Sequence, residues 1–133
     1  MGPDRLPSDW PLSEHSEFVQ CAGTLWHIQQ VGSGPVVLLL HGTGSSTHSM
    51  AGMAEYLSGQ FTCILIDLPG QGFTHPIEER EHLLSAMALA IRELCTHLQI
   101  SPKYVIGHSA GAAVGIRMCL DTDINPSGLL SIN

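Results

Sequence analysis

Short aliphatic runs and glycine-rich breaks alternate along this chain. Residues 36–40 (Val-Val-Leu-Leu-Leu), 63–66 (Cys-Ile-Leu-Ile), 104–106 (Tyr-Val-Ile) and 129–132 (Leu-Leu-Ser-Ile) are each bounded by glycine, proline or polar positions. Uninterrupted apolar runs of this length mark strands covered on both faces, as in parallel sheets. Upstream the pattern is different. Residues 17–21 and 24–31 read as two strands of a hairpin closed by Ala22-Gly23. Its second strand alternates, with Leu25, His27 and Gln29 on one face and Trp26, Ile28 and Gln30 on the other, which makes His27 a strand-surface residue.

Between the apolar runs the period changes to that of a helix. In 81–98, Leu84, Met87, Ile91, Leu94 and Leu98 fall on one face. Glu78, Glu79 and Glu81 near its start suit the helix dipole, and His82 and His97 read as solvated. A helix of about ten residues is expected after residue 47, capped by Thr47 or Ser49. A third runs from Ser109 to about Leu120, with Gly111 and Gly115 allowing close approach to a sheet and Ile116, Cys119 and Leu120 on the buried side. Residues 1–16 hold three prolines and no periodicity, so they form an irregular arm, with Trp10 as its anchor. Residues 17–133 are then one α/β unit with a mainly parallel sheet, right-handed crossovers and helices on both faces. Such sheets bind ligands beyond the C-terminal ends of their strands, where His41, Asp67 and Ser109 all stand.

The densest chemical signal is Gly107-His108-Ser109-Ala110-Gly111, a G-x-S-x-G between an apolar strand and a helix of small residues. The pattern alone carries little information; its strand-to-helix setting is what the nucleophile elbow requires. Ser109 is the candidate nucleophile. Gly107 and Gly111 stand where a Cβ would crowd the turn, and the Ala110 N–H, at a helix N-terminus, faces any oxyanion that forms. His41-Gly42-Thr43-Gly44 begins a loop of glycines and hydroxyls that can turn further N–H groups inward. As a phosphate cradle it lacks the Gly-Lys-Ser/Thr ending of a P-loop, and no G-x-G-x-x-G is present. Asp67 precedes the elbow, so it is read as holding its own loop by hydrogen bonds and not as a triad acid.

Composition narrows the partners. The chain has 133 residues, enough for about one domain that buries roughly two thirds of its unfolded surface. Twelve acids against five bases give a net charge of −7 with no basic cluster, so nucleic acid and anionic membranes are not expected partners. No apolar run approaches the ~20 residues of a membrane span, and no signal-peptide pattern opens the chain. Cys21, Cys63, Cys95 and Cys119 are widely spaced in apolar segments and read as reduced core residues of a cytoplasmic protein. The eight histidines form no spaced cluster with cysteines or carboxylates, so neither metal nor cofactor is expected.

The succession of hairpin, strand ending His41-Gly42-Thr43-Gly44, Asp67-Leu68-Pro69-Gly70-Gln71-Gly72 loop and Ser109 elbow resembles the N-terminal half of an α/β-hydrolase. More narrowly, Asp9-Trp10-Pro11, residues 41–49, residues 67–74 and the elbow with Ala112-Ala113 resemble the magnesium-chelatase accessory proteins of bacteriochlorophyll biosynthesis, which more often carry histidine where this chain has Gln71. The resemblance implies Ser109 as nucleophile and the N–H groups of Thr43 and Ala110 as oxyanion donors. His41, Gly42, Gly44, Gly107, His108 and Gly111 would shape the site. It also implies a triad acid and histidine beyond Asn133. The chain is thus expected to be truncated after about the sixth strand, an incomplete domain inactive by itself and poorly soluble. For the whole protein the implied activity is a serine hydrolase acting on an ester or other acyl bond. The alternative is a non-catalytic protein that binds a tetrapyrrole or assists magnesium chelatase.

Overall fold

The hairpin forms as Ser16–Cys21 (β1) and Thr24–Gly32 (β2), paired antiparallel from Ser16–Gln29 to Cys21–Thr24. Ala22 and Gly23, at φ 53° and 76°, make a left-handed turn that matches the twist of the flanking strands. The structure is a computed structural model and describes residues 6–77 and 83–132. The aliphatic runs become Val36–Leu40 (β3), Thr62–Ile66 (β4), Tyr104–His108 (β5) and Gly128–Ile132 (β6); the last, expected to be covered on both faces, stands at the edge of the sheet, where Leu130 is 56% exposed. Together they build one six-stranded sheet of order β1-β2-β4-β3-β5-β6. The β3–β4, β3–β5 and β5–β6 pairs are parallel, while β2 joins β4 antiparallel.

Helices cover both faces, which is why the central strands are apolar throughout. Leu38, Leu40, Ile64, Ile66 and Val105 pack beneath Leu83–Leu98 (α2) and Ala110–Asp121 (α3). The alternate residues Val37, Leu39, Cys63, Leu65 and Ile106 meet Met50 and Ala54 at the other face, Ala54 lying in Ala51–Leu57 (α1). A single 3-10 turn, Thr47–Met50, leads into α1. It is capped not by Thr47 or Ser49 but by Ser46, whose hydroxyl accepts the His48 N–H at 3.2 Å.

α2 buries Met87, Ala88, Ala90, Ile91, Leu94 and Cys95; Leu84, read as part of that stripe, is exposed. Glu78, Glu79, Glu81 and His82 lie outside the described residues. α3 presents a different face from the one expected. Gly111, Ala112, Val114, Gly115 and Met118 face inward, and Ile116, Cys119 and Leu120 face out, Leu120 being 70% exposed. The helix is apolar nearly all round, so periodicity could not choose its inner side. Contact chooses it: a Cβ at Gly111 would sit 2.6 Å from the His41 carbonyl oxygen, and one at Gly115 would touch Leu129 and Val105. Gly111→Ala should therefore cost about 2–3 kcal/mol, because backbone and not a yielding side chain must move; chemical denaturation measures it.

All four cysteines are free. Cys63 and Cys95 are buried as expected, Cys21 is partly covered, and Cys119 is exposed on the outer side of α3. Burial pushes the Cys95 thiol up to about 12, leaving it unreactive. No described helix is long and apolar enough to cross a membrane.

Candidate active site

The turn from β5 into α3 is sharp because it has no side chains to accommodate. A Cβ on Gly107 would lie 2.5 Å from the Ala112 N and Cα, so strand end and first helical turn are in direct backbone contact. Ser109 stands at the apex with φ 54° and ψ −113°, a conformation costly for any residue with a side chain. Its carbonyl accepts the N–H groups of Ala112 and Ala113 at 3.0 and 3.3 Å, and its own N–H donates to the Ile132 carbonyl at 3.0 Å. A serine before a helix ordinarily folds its hydroxyl back onto the first turn; this one makes no such bond and is exposed. Ser109→Gly should be more stable than Ser109→Ala by about 1 kcal/mol in chemical denaturation, since alanine keeps the strain and glycine releases most of it.

Parallel register places a second loop beside this turn. Leu40 pairs with Gly107, so the residues after β3 run out next to those after β5. The two make contact at Gly42, where a Cβ would come within 2.9 Å of the half-buried His108 Nδ1. His41 is wholly buried. Its Nε2 accepts the Leu68 N–H at 2.9 Å, and its Nδ1 lies 2.7 Å from the Gly42 carbonyl oxygen. An amide can only donate, so Nε2 is the bare nitrogen and Nδ1 carries the proton. Burial pushes the His41 pKa below its ordinary value, against the opposing pull of the Gly42 carbonyl and the Asp67 charge, which agrees with the neutral ring those bonds require.

This ring orients a peptide. The Gly42 carbonyl receives His41 Nδ1–H on one side and the Ser45 N–H, at 3.1 Å, on another. In a planar trans peptide C=O and N–H point in opposite directions, so pinning this oxygen aims the Thr43 N–H away from it. Among the described residues neither the Thr43 N–H nor the Ala110 N–H has a hydrogen-bond partner. The next amide, Gly44 N–H, is already engaged, donating to Gln71 Oε1 at 2.7 Å, with Gly44 at φ 75°.

Behind the loop stands a buried network. Asp67 accepts the Thr47 N–H through Oδ1 at 2.7 Å, and through Oδ2 the Phe73 N–H at 2.9 Å and His27 Nδ1–H at 2.7 Å. This is the loop-holding part expected of it. His27 is not the surface residue that alternation suggested. It is 0% exposed, packed against Phe18 and Phe73, with Nε2 at 2.9 Å from Ser16 Oγ. Gln29 on the same face is buried as well, its amide donating to Pro11 O and Ser16 Oγ. The arm covers that face. Trp10 anchors it as expected, with Nε1–H donating to Thr47 Oγ1 at 3.3 Å and the indole edge-on to His48 and Phe73. The sequence held no sign of Gln71 or Ser46 as loop-shaping residues, because the first acts across 27 positions and the second depends on where the helix begins.

The described chemistry thus gathers at the C-terminal ends of β3, β4 and β5. Comparison with known proteins agrees with this fold. The model of a family described as alpha/beta hydrolase fold matches residues 35–132. The magnesium-chelatase 30 kDa subunit of Rhodobacter capsulatus is 38% identical over 126 residues, 93% of this chain and 44% of that protein. A fluoroacetate dehalogenase of a Burkholderia species is 36% identical over 105 residues, 76% of this chain and 34% of that protein. Among solved structures, an epoxide hydrolase of Vigna radiata superposes with a TM-score of 0.80 at 27% identity, covering 90% of this chain and 40% of that one. The chain therefore spans less than half the length of each of these relatives.

Proposed function

Because the chain belongs to the alpha/beta hydrolase fold family, we propose that the full-length protein is a serine hydrolase of ester or related acyl bonds, with Ser109 as its nucleophile. The observation that carries this reading is the state of Ser109: strained at φ 54° between two backbone-to-backbone contacts, its hydroxyl exposed and unused as a helix cap. Strain of this kind persists where the surrounding packing over-determines it, and it is concentrated at sites that work. In the proposed reaction Ser109 Oγ bonds to the acyl carbon while its proton passes to a histidine. The carbonyl oxygen gathers charge facing the N–H groups of Thr43 and Ala110, and the leaving group departs with that proton. Water then repeats the sequence on the acyl-enzyme.

The histidine and its orienting acid are proposed to follow Asn133. His41 and His27 have both ring nitrogens committed and are wholly enclosed. His108 is packed on Gly42. The substrate is a small acyl compound reaching the ends of β3 and β5. The four free thiols fit a reducing compartment, the cytoplasm.

A second reading is favoured by one finding, the 38% identity to a magnesium-chelatase subunit. There the protein serves bacteriochlorophyll biosynthesis beside magnesium chelatase, and the same strand ends bind a tetrapyrrole without covalent chemistry. Exposure of the full-length protein to a fluorophosphonate serine probe separates the two. Labelling at Ser109 supports the hydrolase; a folded protein that takes no label supports the binding role.

A further inference from the structure

We infer that Gln71 is a positioning residue for the Thr43 oxyanion donor, acting from a different loop through the backbone of Gly44. The inference rests on the serine-hydrolase reading for its purpose, and on geometry for its substance. Gly44 N–H can only donate, so the oxygen and not the nitrogen of the Gln71 amide faces it at 2.7 Å. Gln71 is well placed to hold that oxygen still. Its N–H donates to the Leu68 carbonyl at 2.9 Å, and its carbonyl accepts the Thr74 N–H at 3.1 Å, closing the loop on itself. The same loop starts at Leu68, whose N–H hangs on His41 Nε2, and carries Phe73, whose N–H is held by the buried Asp67 carboxylate.

The consequence is an arch pinned at both feet. Residues 41–44 are tied to residues 67–74 at His41 through Leu68 and at Gly44 through Gln71; Asp67 adds a third tie at Thr47. Thr43 sits between the first two ties. His41 fixes the plane of the peptide before it, and Gln71 fixes the plane of the peptide after it, so both dihedrals of an exposed threonine are set from outside. Without the second tie the Thr43–Gly44 peptide would be free to rotate through conformations that glycine permits, and the arch that carries the Thr43 N–H would be held from the Gly42 side alone. Donor placement within a few tenths of an ångström is what an oxyanion site needs, so a loose arch costs rate and not substrate affinity.

The test uses the full-length protein with two variants, Gln71→Met, which keeps length and loses the acceptor oxygen, and Gln71→Glu, which keeps one. Amide hydrogen exchange at Gly44, read by NMR with the Ile64 amide as a measure of the intact core, reports the tie directly. Saturation kinetics of fluorophosphonate labelling report its effect. Gln71→Met should speed Gly44 exchange about tenfold with Ile64 unchanged. It should also lower the maximal labelling rate about tenfold with the half-saturating probe concentration unchanged. Gln71→Glu should leave Gly44 exchange as in the parent. Unchanged Gly44 exchange in Gln71→Met, or unchanged maximal labelling, overturns the inference. If the parent takes no label, the hydrolase reading and the catalytic purpose of this contact fall together, while fast Gly44 exchange in Gln71→Met still upholds the hold on the loop.

Discussion

Ser109→Ala in the full-length protein is expected to abolish fluorophosphonate labelling and to lower ester turnover at least ~10³-fold. The size follows from how the roles divide. In the proposed reaction no acyl-enzyme can form without the hydroxyl, and what would remain is polarisation of the carbonyl by the two proposed backbone donors, one donor of this type contributing about 10²–10³ by itself. Alanine deletes only Oγ, keeps the strained backbone and touches nothing in the core, since the Ser109 hydroxyl caps no helix and is exposed. Loss of reaction with preserved stability would thus report chemistry. Retention of label in Ser109→Ala would assign the reactive serine elsewhere. Ser16 is then a residue to examine, because its hydroxyl lies 2.9 Å from the His27 ring.

Asp67→Ala should give the largest loss of stability, about 3–5 kcal/mol, measured by chemical denaturation of the full-length protein. Asp67 is 0% exposed and its two oxygens receive three donors from three separate parts of the chain: β2, the turn before α1 and the loop after β4. Alanine removes every acceptor at once and strands the Thr47 and Phe73 amides and the His27 ring away from water, and unmet buried donors are costly. Gly72 makes the substitution harder to repair, because its backbone lies directly against the Asp67 carboxyl. Asp67→Asn, which keeps one acceptor oxygen, should lose less than alanine. A loss under about 1 kcal/mol in Asp67→Ala would mean that these amides find water, and the network would not be what joins the three segments.

Much of the fold is legible because its signals are local. Val36–Leu40, Thr62–Ile66 and Tyr104–His108 emerge as strands wherever an apolar run is fenced by turn residues. Ala22-Gly23 sets the hairpin register by its own backbone preference. The Ser109 turn is legible for the same reason, as Gly107 and Gly111 flank it at the spacing that backbone contact demands. His27 was misread because alternation tells two faces apart without telling which is covered. The covering pieces, the arm at Trp10 and the loop at Phe73, are remote from it in the chain. α3 shows the same limit: Ile116 and Leu120 are as apolar as Val114 and Met118, and only the close approach of Gly111 to the end of β3 turns one pair outward.

Local residue order was therefore sufficient to establish an α/β sheet, the strand ends at which the candidate residues collect, and the serine held between two glycines. Assembly in three dimensions settled the rest: that His41 spends both nitrogens on backbone, that Asp67 and His27 form one buried network, and that Gln71 takes the Gly44 amide and leaves that of Thr43 open. The reason is one of range. A turn or a strand is specified by residues within a few positions, whereas a hydrogen bond between loops depends on the register of a parallel sheet whose strands are brought together by crossovers of many residues.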